Sequence, residues 1–158
     1  LYDSKTDPFT HDGLFEKIER KPNVALIGFT TDGDVFGLFY SVAIERQDEL
    51  VKDPNVFAFS FESRGRCESP KMFPLKDGLK DYTSLVFWKN NGSGFVRFWV
   101  DGAGGFYLGK ENSNSYCRNL SNAFQYLQDT TLTGNNNTNW RNPPYHHCSR
   151  IVAIGCCH

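Results

Sequence analysis

No stretch of this 158-residue chain approaches the ~20 apolar residues of a membrane-spanning helix. Nothing at its front reads as a cleavable signal peptide. Charge of a dominant sign is missing too: 17 Lys and Arg against 18 Asp and Glu leave −1. That balance argues against a broad electrostatic footprint for nucleic acid or acidic membranes and leaves room only for a local basic patch. Cysteine is scarce and odd in number, with Cys67, Cys117, Cys148, Cys156 and Cys157 irregularly spaced. Secreted disulfide frameworks use even counts. Reduced thiols in a cytoplasmic or nuclear protein are therefore expected, and the sequons at Asn91, Asn119 and Asn136 weigh little in so Asn-rich a chain. Internal repeats are absent. The length suits one domain over 1–158, and the start at Leu1 suggests a piece of a longer or processed protein.

Aromatics are abundant, at 15% with 14 Phe, so a Phe-rich core is expected. Leu14, Phe15 and Ile18 recur at helical spacing, with Glu16, Lys17, Glu19 and Arg20 opposite. Thr10 suits the N-cap, and Pro22 sets the far limit. Two near-continuous apolar runs, at about 24–30 and 35–42, flank a turn that reads Thr30-Thr31-Asp32-Gly33. Gly33 is free to take positive φ there, and the pair is predicted to be a hairpin with strands buried on both faces. Residues 44–54 read as a charged turn or short helix. Val56–Phe61 reads as a strand with Phe57, Phe59 and Phe61 on one face. Residues 62–74 are expected to be a surface loop. Strands at 84–88, 95–100 and 106–108, joined by Gly- and Asn-rich links at 90–94 and 101–105, suggest an antiparallel meander. The stretch 110–144 is polar and rich in Asn and Ser; its low-complexity centre at 133–139 is expected to be mobile, and 150–155 to be the last strand. Together these predict a mainly β (α+β) fold: a two-sheet antiparallel sandwich with a few short flanking helices.

Chemistry-bearing residues gather most densely near the end, in His146-His147-Cys148 and Cys156-Cys157-His158. The types suit zinc, but the spacing matches no common zinc motif, and neighbours on a strand face opposite ways. No metal site is therefore expected. Cys148, Cys156 and Cys157 remain redox candidates, which would require a lowered thiol pKa. A nucleophilic pair of Cys148 with His11 or His146 would need contact that the sequence does not predict. Asp32 and Asp34 flank a turn glycine without the rest of a calcium loop. Arg64, Arg66 and Arg97 are the nucleic-acid candidates, the last in an aromatic strand that faintly resembles base-stacking ones. Gly102–Gly105 lacks the helix a phosphate loop needs. Trp88, Trp99 and Trp140 could line a sugar surface, though core roles explain them more simply. No catalytic constellation and no cofactor is expected.

As an ordered set, several pieces resemble the TLDc domain family. They are Leu1-Tyr2-Asp3-Ser4, the helix, Asp32-Gly33-Asp34-Val35-Phe36-Gly37, Phe57-Ala58-Phe59-Ser60-Phe61, the aromatic-glycine hairpins, Ser115-Tyr116-Cys117 and the last apolar strand. The similarity spans nearly the whole chain. Cys117-Arg118-Asn119-Leu120 stands where animal members often have a Cys-Glu-Thr-Phe-like stretch. Ala153-Ile154-Gly155-Cys156-Cys157 replaces a Glu-Val-Trp-like ending. These departures suggest a divergent branch, of protist type. The resemblance implies a β-sandwich and a non-enzymatic protein-interaction domain. It also implies links to oxidative-stress resistance and to regulation of the vacuolar proton-pumping ATPase, whose subunits would be partners. The alternative is a stress-responsive regulator that binds nucleic acid or senses oxidants through its cysteines. Gly33 and Gly37 are assigned structural roles in turn and packing.

Overall fold

A computed structural model describes residues 1–81, 84–87, 96–100, 104–108, 115–134 and 146–157. Its body is a six-stranded antiparallel sheet. The order is β1 (Tyr2–Asp3), β11 (Cys148–Gly155), β2 (Val24–Thr30), β3 (Val35–Tyr40), β5 (Phe57–Glu62) and β6 (Lys71–Pro74). A three-stranded antiparallel sheet contains β10 (Tyr116–Arg118), β9 (Gly104–Leu108) and β8 (Val96–Val100). A small pair joins β4 (Val51–Lys52) to β7 (Ser84–Leu85). The protein is mainly β.

Local chemistry explains the first elements. Helix α1 (His11–Ile18) starts where the Thr10 hydroxyl accepts from the Gly13 N–H at 3.1 Å, satisfying a donor that the first turn leaves unpaired. Leu14 and Ile18 are fully buried, as their spacing requires. The helix ends before Pro22, with Arg20 at φ 59 turning the chain towards β2. Gly33 at φ 99 closes the β2–β3 hairpin.

Alternation then sorts the strands into two faces. Inward go Val24, Leu26, Phe36, Leu38, Tyr40, Ala58 and Phe73, which share a core with Phe106, Leu108 and Cys117 of the three-stranded sheet. The rings of Phe36 and Phe106 stack with centroids 6.0 Å apart, so the second sheet packs over the inner face of the first. Outward go Ala25, Ile27 and Phe59, ringed by Phe29, Val35, Phe39, Phe57, Val152 and Cys156. Gly37 lets this outer layer form. A Cβ there would lie 2.0 Å from the Leu26 carbonyl oxygen and 2.5 Å from Phe59 Cζ, so the Phe59 ring occupies space that any side chain would need.

Several expectations change. The loop expected over 62–74 ends in β6, and Phe73 is completely buried there against Ala58. Gly104 and Gly105 belong to β9 rather than to a turn. The polar stretch after 110, in which no strand or helix is expected, contains β10, the short helix α2 (Leu120–Ala123) and the buried Thr131, Leu132 and Thr133. Its low-complexity segment beyond Gly134 lies outside the described residues, as do Trp88, Trp140 and His158. Tyr2–Asp3 pairs with Ala153 and Val152 as an edge strand. Gly104 and Gly105 pair with the neighbouring Val100 and Trp99, whereas Tyr2–Asp3 takes its partner from the far end of the chain; in both, the pairing is not revealed by local composition.

Candidate functional site

A polar network centred on a buried carboxylate lies at the β2–β3 turn. Asp34, whose side chain is 1% exposed, is its centre. The Asp34 N–H donates to the Thr30 hydroxyl at 3.0 Å. Arg64 Nε donates to Asp34 Oδ1 at 3.0 Å and its Nη2 to Oδ2 at 3.1 Å, a forked pair. Arg66 Nη2 also donates to Asp34 Oδ1. Arg66 reaches onward to the carbonyls of Thr131 (3.0 Å) and Leu132 (2.9 Å). The pairing of Val35 with Glu62 brings the loop after β5 beside the hairpin turn and so delivers both arginines. Burial pushes the Asp34 carboxyl up, but the hydrogen bonds from Arg64 and Arg66 outweigh it and hold the group below the usual carboxylate range. One carboxylate thus ties together the hairpin, the 63–67 loop and the 130–134 turn.

This geometry bears on the nucleic-acid candidates. Arg64 and Arg66 both direct Nε and Nη2 inward to Asp34 and to backbone carbonyls, while the Arg64 side chain remains 43% exposed. Arg97 stands in β8 opposite Tyr107, in the other sheet and on a different element from the loop that holds the first two.

The C-terminal residues are split by the length of β11. Cys148 opens that strand and Cys156 follows it, a separation of roughly 25 Å at strand rise. Cys148 is buried on the core side, where burial pushes its thiol up to about 11 despite a hydrogen bond with Ser115. Burial likewise pushes the Cys117 thiol well up. Both are held as neutral thiols near neutral pH, the opposite of what nucleophilic reactivity requires. Cys156 is half-buried against the outer face, and Cys157 is exposed. Because β11 ends at Gly155, the strand rule that would point these two side chains apart does not govern them. Among the described residues no group of three or more His, Cys, Asp or Glu side chains could hold a metal ion. His11 lies against Phe87, with ring centroids 4.9 Å apart.

Sequence reasoning named His146 for metal or nucleophile chemistry and Asp34 as part of an incomplete calcium loop, and missed the buried positions that both occupy. Asp34 could have been found from two facts together: an acid in a hairpin turn, and Arg-Gly-Arg where the next strand ends. His146 carries no such signal. It is 4% exposed, lies edge-on to Phe36 at 5.6 Å between centroids, and is bridged through its backbone to Ser115.

No family model matches this chain, and no curated protein matches it closely enough to count as a relative.

A second feature is the outer face of the large sheet. Phe39 and Phe57 stack at 4.8 Å, and Phe59 meets Phe61 at 4.9 Å. At its margins Phe61 is 49% exposed, Met72 59% and Ile154 42%. Arg150 lies over the Phe29 ring at 5.3 Å and pairs with Asp3, which is held down to about 2 chiefly by that hydrogen bond. No helix of the described residues is long and apolar enough to cross a membrane.

Proposed function

We propose that this chain is a protein-interaction domain of TLDc type that docks an apolar partner surface on the outer face of its six-stranded sheet. The observation that carries this reading is the exposure of Phe61, Met72 and Ile154 beside a continuous aromatic layer. Apolar surface of this kind gains free energy on being covered, at roughly 25 cal/mol per Å² before the costs of association. Contiguous exposed patches commonly mark such sites. The TLDc resemblance supplies the partner class: subunits of the vacuolar proton-pumping ATPase, with the domain acting as a stress-linked regulator in the cytoplasm or nucleus.

The test uses the full chain as bait in a lysate of proton-pump-rich membranes. Capture of pump subunits by the wild type, and its loss in Phe61→Asp and Met72→Asp, is the expected result. A folded wild-type bait that retains no pump subunit would overturn the partner, and equal capture by both variants would overturn the surface. The second reading, oxidant sensing, draws its support from exposed Cys157 next to Cys156. Mild peroxide followed by mass mapping should then modify those two before Cys148.

A further inference from the structure

His146 combines a fastened backbone with an unfastened side chain. Its N–H donates to the Ser115 carbonyl at 2.9 Å, and the Ser115 N–H donates to its carbonyl at 2.7 Å. Ser115 leads into β10 and His146 leads towards β11, so this bridge joins the three-stranded sheet to the six-stranded one. The next carbonyl, that of His147, accepts from the Thr31 N–H at 2.9 Å. The ring of His146 is buried beside Phe36, yet neither Nδ1 nor Nε2 has a hydrogen-bond partner among the described residues.

We propose that His146 is an acid-operated latch, whose protonation favours opening of the seam between residues 115–118 and 146–148. A neutral imidazole in this place leaves two polar atoms unmet. A protonated one leaves a charge and two donors unmet, which costs far more in a low-dielectric interior. Opening lets water reach both nitrogens.

The surrounding groups offer little compensation. From the β2–β3 turn come Asp34 and Asp32, which attract a cation at His146. The charge of Asp34 is already shared by Arg64 and Arg66 from the 63–67 loop. From its own segment come His147, which repels, and the neutral Cys148 thiol; from β10 comes the neutral Cys117 thiol. Burial dominates and pulls the His146 ring from 6.5 down to about 4.

The sign follows from linkage. Between pH 6.5 and about 4 the open form binds the proton and the closed form does not. The closed seam is at full strength above this window and weakens as pH falls through it. From pH 7 to pH 5 the opening constant should rise about 20-fold. The depressed carboxylates Asp3 and Asp34 act only below their ordinary value of 3.8, a separate window.

Amide hydrogen exchange, corrected for intrinsic rate, reads the opening directly in peptides covering 115–118 and 146–148. The wild type should show a rise of about 20-fold between pH 7 and pH 5. His146→Phe, which keeps an aromatic ring beside Phe36 and cannot take a proton, should be flat. His147→Gln, at an exposed position, should keep the wild-type dependence. A rise of the same size in His146→Phe would overturn the proposal. Should that variant fail to fold, an NMR titration of the wild-type ring decides: a midpoint near 4 supports the latch, and one near 6.5 overturns it.

Discussion

On the inner face of the six-stranded sheet Phe36, Leu38 and Tyr40 are 0–3% exposed, sealed beneath the second sheet. On the outer face of the same sheet Ala25, Ile27 and Phe59 are buried by a single, largely aromatic layer, whose margins at Phe61, Met72 and Ile154 remain 42–59% exposed. The residue types are nearly the same. What differs is the cover: another sheet on one side, and neighbouring side chains of the same sheet on the other. An apolar strand pattern therefore predicts burial in general without saying which face the chain itself closes. The inner face is closed by the chain itself, and the outer face keeps an exposed apolar margin.

That contrast can be broken from the inside first. Phe36→Ala removes a ring packed between Phe106 and His146, and should cost about 3–5 kcal/mol in urea denaturation. A loss under about 1 kcal/mol would mean that the inner face is not the core. Next, Asp34→Ala removes the buried end of two ion pairs whose guanidinium groups keep some access to water, and about 1.5–3 kcal/mol should go with it. In the wild type this contribution is present above pH 3.8 and is lost as pH falls further, since the folded carboxyl is depressed. Thermal unfolding of wild type and variant should therefore converge progressively as pH falls below 3.8.

Gly37→Ala sharpens the outer side of the comparison. Its Cβ would collide with the Leu26 carbonyl and the Phe59 ring, so a cost of about 1–3 kcal/mol is expected, with Phe59 displaced outward. A crystal structure of the variant with Phe59 unmoved would refute that account. The smallest effect on stability belongs to Phe61→Ser and Met72→Ser. Each should fall within about 0.5 kcal/mol of wild type, because surface side chains contribute little to folding. A large loss of stability in either would show the margin to be core.

Where chemistry is local, the sequence was readable. Thr10, Leu14 and Ile18 specified α1, and the apolar runs on either side of Gly33 specified the hairpin within two residues. Strand β6 was not readable, because its four residues follow Pro70, end in Pro74, and become a strand only by pairing with Phe57–Ser60. Much of the candidate site was hidden for the same reason. Arg64 and Arg66 looked like solvent-facing cations, and only the Val35–Glu62 pairing shows that they meet a buried carboxylate about thirty residues back.

By itself the sequence determined the mainly β character, the helix, the central hairpin and the supply of aromatic side chains. These follow from periodicity, capping and turn conformation, which act over a few residues. The tertiary structure alone decided which apolar face is sealed, that Asp34 is a buried anchor, that Cys148 and Cys156 stand at opposite ends of a strand, and that His146 is shut in with both nitrogens unmet among the described residues. Each of those depends on contacts between segments far apart in the chain, and burial, charge pairing and desolvation exist only once those segments have met.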